Sequence, residues 1–231
     1  MSRSARSKYA RADYTTARAY FERAERLTPN YSTLEINLGI VNGALGAHAV
    51  AEQHFTRALA LSPDASSHFY YARWLTEIGR APDAVPHLRE SLVNSPGSLD
   101  ARHLLMRMLA AQEADPELRR VAADTLAIDP RDGDAAAYSR GASPYGGTPE
   151  QTMASGLAAL SARRFGDAAE WFRAGVLADA RSADLWNNRG WAQYELGFYG
   201  PARASFARAL GFDPKHTRAA NNLQLVLKKG P

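Results

Sequence analysis

Apolar and small residues recur along this chain at one phase of a period of about 34 residues. In each copy an alanine or leucine is followed four residues later by an apolar residue, and three residues after that by a small one. This spacing places all three on one face of a helix. The six copies are Ala17, Phe21, Ala24; Ala51, Phe55, Ala58; Ala84, Leu88, Ser91; Leu118, Ala122, Thr125; Ala168, Phe172, Gly175; and Ala202, Phe206, Ala209.

Prolines repeat in register with this pattern. Pro29, Pro63, Pro96 and Pro130 lie 34, 33 and 34 residues apart, and each follows an apolar run; Pro214 has the same context. A proline just beyond a helix ends it, because the ring clashes with helical backbone and supplies no N–H. Upstream, a further phase carries mostly small residues, which allow two helix backbones to approach closely: Gly39, Ala72, Met106, Gly156 and Gly190.

The helix-start signals between these positions predict two helices per copy. Second helices are predicted to open at Asp13-Tyr14, Asp115-Pro116 and Gly200-Pro201, where a cap residue precedes a good first-turn residue. Pro82 and Pro86 are both assigned to the first turn of a helix, where no intrahelical N–H is required.

At these residues the chain resembles the tetratricopeptide repeat family, whose pattern is W-x2-L-G-x2-Y…A-x3-F…P. Residues 183–216 match best, although Arg189 stands where Leu is expected and Gln193 where Tyr is expected. Residues 32–65 match nearly as well. The resemblance implies that Trp186 is a structural core residue.

We therefore predict an all-α fold: an α-solenoid of about six tetratricopeptide helix-turn-helix repeats with a C-terminal capping helix. The predicted N-terminal block, 1–132, has four repeats, the first with a truncated first helix. The C-terminal block, 149–231, has two repeats and a capping helix, which repeat arrays require. The repeat boundaries are 1–31, 32–65, 66–98, 99–132, 149–182 and 183–216, and the capping helix is 217–229.

Residues 133–148 interrupt the period. Pro130 and Pro214 are 84 residues apart, 16 more than two periods. The first nine inserted residues are predicted to form a short helix, and Ser143 to Thr148 a turn. We interpret the insertion as a linker between the two blocks; a structured loop without a bend is the alternative.

Charge is concentrated at the start of the chain. Residues 1–31 hold seven basic and three acidic side chains, so this segment carries the whole formal charge of +4. The basic residues are Arg3, Arg6, Lys8, Arg11, Arg18, Arg23 and Arg26. A solvated helix pair explains them, and a weak contact with an anionic surface or acidic partner is the functional alternative. No basic stripe continues along the chain, so we expect no nucleic-acid binding.

Signatures of catalysis are missing from the sequence. It has no cysteine, no phosphate-binding loop and no dinucleotide fingerprint. Asp132-Gly133-Asp134 resembles the opening of a calcium loop, but alanines follow where oxygen ligands are needed. No two histidines have the i, i+4 spacing of a zinc pair. We expect no enzymatic activity, no small-molecule substrate, no cofactor and no metal site.

The resemblance implies that first helices line a concave groove, with their sixth positions pointing into it. Asn37, Asn188 and Asn222 hold such positions, and an amide can pair with the backbone of any bound peptide. Trp and Arg residues dominate many interfaces, so the same helices offer anchors. The predicted partner-binding residues are Asn37, Asn187, Asn188, Trp191, Tyr194, Arg218, Asn221 and Asn222.

These patterns predict a non-catalytic scaffold that binds a peptide or partner protein in the groove. The alternative is a structural or self-assembling subunit, or the soluble part of a larger membrane-associated assembly such as a glycosyltransferase or secretion system. Under either hypothesis we expect at most indirect contact with a membrane. Both hypotheses are compatible with a homo-oligomer. No apolar run of membrane-spanning length occurs, so we expect a cytoplasmic location. If the chain is part of a longer protein, a periplasmic or membrane-associated location is the alternative.

Overall fold

A computed structural model describes the backbone of residues 3–229 and the side chains of residues 13–229. Within that part of the chain the secondary structure consists of thirteen α-helices and contains no strand. The all-α solenoid predicted from the repeats is confirmed. The side chains of Arg3, Arg6, Lys8 and Arg11 lie outside the described residues.

Five complete helix pairs account for most of the chain, and in each pair we call the members the first and the second helix. The pairs are α2 (Ser32–Ala44) with α3 (His48–Leu61), α4 (Ala65–Glu77) with α5 (Ala81–Asn94), α6 (Leu99–Gln112) with α7 (Asp115–Ile128), α9 (Pro149–Ser161) with α10 (Phe165–Ala178), and α11 (Ala183–Glu195) with α12 (Tyr199–Phe212). The remaining helices are α1 (Arg3–Leu27), α8 (Gly133–Ser139) and α13 (Thr217–Leu227).

Every turn within a pair contains one residue at positive φ, and these residues share one phase of the repeat. They are Gly46, Gly79, Glu113, Arg163 and Gly197, with φ between 57° and 85°. Glycine adopts this conformation without steric cost, whereas a side chain makes it unfavourable at Glu113 and Arg163.

Close approach of the two helices in a pair explains the small residue on the first helix. A Cβ added to Gly39 would lie 2.9 Å from the ring of Phe55, and one added to Gly190 would lie 2.7 Å from the ring of Phe206. Both phenylalanines are fully buried. The predicted role of these phases in packing is therefore confirmed for α2–α3 and α11–α12.

Two local predictions are wrong. Residues 3–27 form one continuous helix, where a truncated first helix and a second helix opening at Asp13-Tyr14 were predicted. No glycine or proline interrupts this stretch, so nothing forces the chain to turn back. Pro86 lies in the sixth position of α5, inside the helix, rather than in its first turn.

The chain divides into two compact units. One contains residues Met1–Trp74 and Pro86–Pro96, and the other contains Leu75–Val85 and Gly97–Pro231. Within the second unit α10 packs against α6 as well as α9 and α11, so helices on both sides of residues 133–148 are in contact. The division into an N-terminal and a C-terminal block stays a prediction.

None of the helices in the described part of the chain is long and apolar enough to cross a membrane.

Candidate functional site

Helix α11 carries half of the predicted binding residues, and its start is fixed by a side-chain cap. The Ser182 hydroxyl accepts a hydrogen bond from the Leu185 N–H at 3.3 Å. A serine cap satisfies a backbone donor that the helix itself leaves unpaired. From this start Asn187, Asn188, Trp191 and Tyr194 follow at spacings that span about two turns.

A row of side chains links the first helices α9 and α11 and the last helix, α13. Asn222 Nδ2 donates to Asn187 Oδ1 at 2.9 Å, and Asn187 Nδ2 donates to Asn188 Oδ1 at 3.3 Å. Asn188 Nδ2 in turn contacts the sulfur of Met153 at 3.1 Å. We call Met153, Asn188, Asn187 and Asn222 the amide row. Three of the predicted residues therefore lie together in one connected set.

The aromatic residues beside the amide row are partly exposed and also pack against the core. Trp191 and Tyr194 stack with ring centroids 5.3 Å apart, and Tyr199 lies 5.5 Å from Tyr194. Trp191 and Tyr194 are half-buried and pack against the buried cluster that contains Phe206. The Lys229 ammonium lies 6.0 Å from the centre of the Tyr194 ring, at the limit of a cation–π contact.

Helix α13 is held against α11 by a histidine cap. His216 Nδ1 accepts from the Ala219 N–H at 3.1 Å, so the proton on its other nitrogen faces the Asp184 carboxylate at 3.1 Å. Arg218 and Asn221 extend from this helix and are exposed. The cap thereby fixes the helix that presents Asn222 to the amide row.

The opposite side of α11 contacts residues far away in the chain. Gln193 Nε2 donates to the Ala111 carbonyl at 2.9 Å, and Arg189 pairs with Glu113 at 3.1 Å. Ala111 lies at the end of α6, where carbonyls lack an intrahelical donor. Both α11 residues are buried. In the sequence Arg189 and Gln193 depart from the repeat pattern, and this departure is the signal of the long-range contact.

The turn between α4 and α5 contacts the C-terminal end of α11. The Ala81 N–H donates to the Leu196 carbonyl at 3.0 Å. A Cβ added to Gly197 would lie 2.5 Å from the Gly79 carbonyl oxygen. The two turns therefore meet backbone to backbone, which only glycine allows.

Trp186 is not the core residue that was predicted. It is half-buried, and its indole N–H donates to the Ala180 carbonyl at 2.8 Å. The guanidinium groups of Arg208 and Arg189 lie 4.7 and 5.4 Å from its ring centre. Arg189 stands where the pattern has an apolar residue, so a cation lies over the ring from this position.

Asn37 belongs to the other compact unit. It is half-buried on α2, and its neighbours Ile36 and Leu38 are core residues. Its predicted role stays a prediction.

The inserted segment is anchored to α10 by a buried carboxyl group. Glu170 is fully buried, and its carboxylate accepts from the Ser143 hydroxyl at 3.2 Å. Arg173 lies 3.8 Å from the same carboxylate and donates to the Ala142 carbonyl at 2.8 Å. Burial raises the pKa of the Glu170 carboxyl, and the Arg173 charge opposes that shift. Ser143 is thus part of a structural contact between the insertion and α10.

Two further groups with ligand-forming side chains have structural partners. Asp132 caps α8 by accepting from the Ala135 N–H at 2.8 Å, and it also pairs with His103. Glu25, Glu35 and His54 approach within 4.8 Å of one another. Arg57 pairs with both of those carboxylates, at 3.2 and 3.1 Å. Ion pairs therefore account for this cluster.

Comparison with known proteins identifies the repeat. The model of the family described as tetratricopeptide repeat matches residues 3–66, 36–98 and 153–223. No curated protein matches the chain.

Among solved structures, a tetratricopeptide repeat protein from Parabacteroides merdae ATCC 43184 is similar with a TM-score of 0.50 and 14% identity, over 96% of this chain and 89% of that one. PilW, a type IV pilus biogenesis factor, is similar with a TM-score of 0.47 and 19% identity, over 95% and 94%. A structure of the APC/C hetero-tetramer Cut9–Hcn1 is similar with a TM-score of 0.45 and 14% identity; 93% of this chain is covered, but only 39% of that one. Because the family model matches well over half of its length, the chain belongs to the tetratricopeptide repeat family.

Proposed function

We propose that this protein binds a peptide segment of a partner protein along the surface that α9, α11 and α13 present at the amide row. Proteins of the family are generally protein–protein interaction scaffolds and typically non-catalytic adaptors. The observation that carries the proposal for this chain is the connected set of Asn188, Asn187 and Asn222, which with Met153 joins α9, α11 and α13.

The amide row retains hydrogen-bonding capacity for a ligand. An asparagine side chain offers two donor hydrogens and an acceptor oxygen with two lone pairs. Asn222 uses one donor on Asn187, which leaves its other N–H and its oxygen for a peptide backbone. Asn188 uses one donor on Met153 and one oxygen lone pair on Asn187, which leaves its second N–H and one lone pair. Such bonds are independent of the partner's side chains, and each contributes about 0.5–1.5 kcal/mol.

Residues beside the row supply the stronger contacts. Trp191 and Tyr194 are half-buried, so a stacked aromatic edge is available to an apolar side chain of the peptide. Arg218 is exposed on the neighbouring helix and suits a carboxylate of the peptide. Aromatic and arginine anchors are the residues that dominate most measured interfaces.

The test is a comparison of partner capture by the wild type and by the double variant Asn188→Ala, Asn222→Ala. Tagged protein is incubated with lysate of the source organism, and captured proteins are quantified by mass spectrometry. We expect the specific partners to be reduced about tenfold or more, since several amide bonds are lost together. Far-ultraviolet circular dichroism should show unchanged helicity.

Gln224→Ala is the matched control, because Gln224 is an exposed amide on α13 outside the row. Equal capture by the wild type and the double variant, with both folded, would refute binding at the amide row. Light scattering of the wild type separates the alternative function: a self-assembling subunit would form oligomers without any partner.

A further inference from the structure

Two histidines from neighbouring helices meet in the first of the two compact units. His68 lies on α4 and His87 on α5, and their Nδ1 atoms are 3.0 Å apart. Their ring centroids are 5.2 Å apart, and both side chains are half-buried. The two residues are 19 positions apart in the chain, so the spacing of a zinc pair within one helix does not reveal them. Only the fold brings these two imidazoles together.

The distance between the two nitrogens fits a shared metal ion. An imidazole nitrogen binds zinc at about 2.0–2.1 Å. Two such nitrogens on one ion therefore lie about 2.9 Å apart when the angle at the metal is a right angle, and about 3.4 Å apart when it is tetrahedral. The observed 3.0 Å falls between these values. Rotation of the half-buried rings about their Cβ–Cγ bonds can therefore direct both lone pairs at one ion without a movement of the backbone.

The same two nitrogens share a hydrogen bond when no metal is bound. One Nδ1 then donates its proton and the other accepts it. Metal binding requires both rings to carry their proton on Nε2, because both Nδ1 lone pairs must face the ion. The proton of the donating ring therefore moves from Nδ1 to Nε2, and both imidazoles stay neutral.

The surroundings keep the histidines neutral and oriented. Burial lowers the pKa of His68, and the negative charges of Glu90 and Asp64 only partly offset this shift. A neutral ring is needed because a histidine must be deprotonated to bind a metal. The ring of Tyr71 packs against His87 with their centroids 4.8 Å apart. This contact limits the orientations that the His87 ring can adopt.

Two carboxylates beside the histidines attract a cation. Glu90 is exposed on α5, close to one turn after His87, and its charge acts on His68. Asp64 also acts on His68, but its oxygens already accept hydrogen bonds from Ser62 and from the start of α4. Glu90 is therefore the carboxylate that can turn toward an ion. Asp64 adds negative charge, which favours a divalent cation at this place.

We propose that His68 and His87 bind a divalent transition-metal ion through their Nδ1 atoms, with Glu90 as a third ligand. Imidazole nitrogens suit Cu²⁺, Ni²⁺ and Zn²⁺, and these ions also accept a carboxylate oxygen. We call His68, His87 and Glu90 the histidine site. It shares no residue with the amide row, so the inference goes beyond the proposed function and does not depend on it.

The cluster of Glu25, Glu35 and His54 is a poorer place for the ion. Its ligand atoms also lie within 4.8 Å of one another. Arg57, however, pairs with both carboxylates at 3.2 and 3.1 Å. A divalent ion there is repelled by the guanidinium charge and has to displace it. The experiment therefore treats this cluster as the competing site.

The test is a calorimetric titration of the untagged full chain with nickel chloride and with zinc chloride, at neutral pH in a buffer that does not bind metals. We expect one ion to bind per chain. His68→Ala and His87→Ala should each weaken binding about tenfold or more, because each removes one of the two nitrogen ligands. Glu90→Gln should weaken it by a smaller factor. His48→Ala is the matched control, because His48 is an exposed histidine of the same compact unit.

Nuclear magnetic resonance gives a second measurement, on wild-type protein with isotope-labelled histidine, so it does not depend on the folding of any variant. Zinc should shift the Nδ1 resonances of His68 and His87. The resonances of the remaining histidines, which are His48, His54, His103 and His216, should stay in place.

Absence of metal binding to the wild type overturns the proposal. Equal binding by His68→Ala and His87→Ala, with circular dichroism showing both to be folded, overturns it as well. Loss of binding in His54→Ala, together with unchanged binding in His68→Ala, would assign the ion to the competing site and overturn the histidine site. Unchanged binding in Glu90→Gln would overturn the assignment of Glu90 as a ligand.

Discussion

Helix pairs α2–α3 and α11–α12 are the two copies that match the repeat pattern best, and they differ in what surrounds them. Within each pair the packing is the same: a glycine of the first helix lies against a buried phenylalanine of the second. The turn of α2–α3 is open, since a Cβ on Gly46 would meet nothing within 4 Å. The turn of α11–α12 is covered by Gly79.

The departures from the pattern follow this difference. Position 38 holds the expected leucine, which is buried in its own unit, whereas the equivalent Arg189 pairs with Glu113. Asn42 and Gln193 both stand where tyrosine is expected. Asn42 donates to Leu38 in its own helix, but Gln193 reaches Ala111 on α6. The shared positions determine packing inside a pair, and the departures in α11 serve contacts with other repeats.

The largest expected effect tests what the two pairs share. Phe55→Ala and Phe206→Ala should each lower the free energy of unfolding by about 3–5 kcal/mol, because each removes a fully buried ring and leaves a cavity. Urea denaturation followed by circular dichroism measures this. Phe212→Ala, at a ring that is 46% exposed, is the control and should cost about 1 kcal/mol or less. Losses below about 1 kcal/mol at both buried positions would contradict the common packing.

The second prediction concerns the two turns. Gly46→Ala and Gly197→Ala both place a side chain at positive φ, which costs about 1–2 kcal/mol. At Gly197 the new Cβ also meets the Gly79 carbonyl, so we expect a further loss of about 1–3 kcal/mol. Thermal and urea denaturation of the two variants give the difference. Equal losses would show that the two turns do not meet in solution.

The smallest expected effect compares the two amides. Gln193→Leu leaves the Ala111 carbonyl and the Ser205 hydroxyl without their partner, so the free energy of unfolding should fall by about 1–3 kcal/mol. Asn42→Leu removes only a bond to a carbonyl within its own helix, and should cost less than about 1 kcal/mol. Urea denaturation of both variants is the measurement. A larger loss at Asn42 would reverse the assignment of local and long-range roles.

Much of the candidate site was accessible from the sequence, but its connections were not. The repeat phase placed Asn188 and Asn222 on successive first helices, and the structure links them through Asn187. The phase alone could not show that Asn188 also contacts Met153, because that depends on how closely α9 and α11 pack. The repeat pattern also predicts Trp186 as a core residue, because a single copy of the pattern does not reveal that two arginines lie over its ring.

The sequence by itself determined the helices, their pairing and the faces they bury, because these depend on spacings of three, four and about 34 residues along one chain. Only the tertiary structure decided that α1 runs on as one helix, that Gly197 meets Gly79, and that Gln193 satisfies the end of α6. The last two features arise where residues distant in sequence come together. A periodic pattern reflects what neighbouring helices share, whereas contacts between distant repeats involve residues that the pattern does not relate.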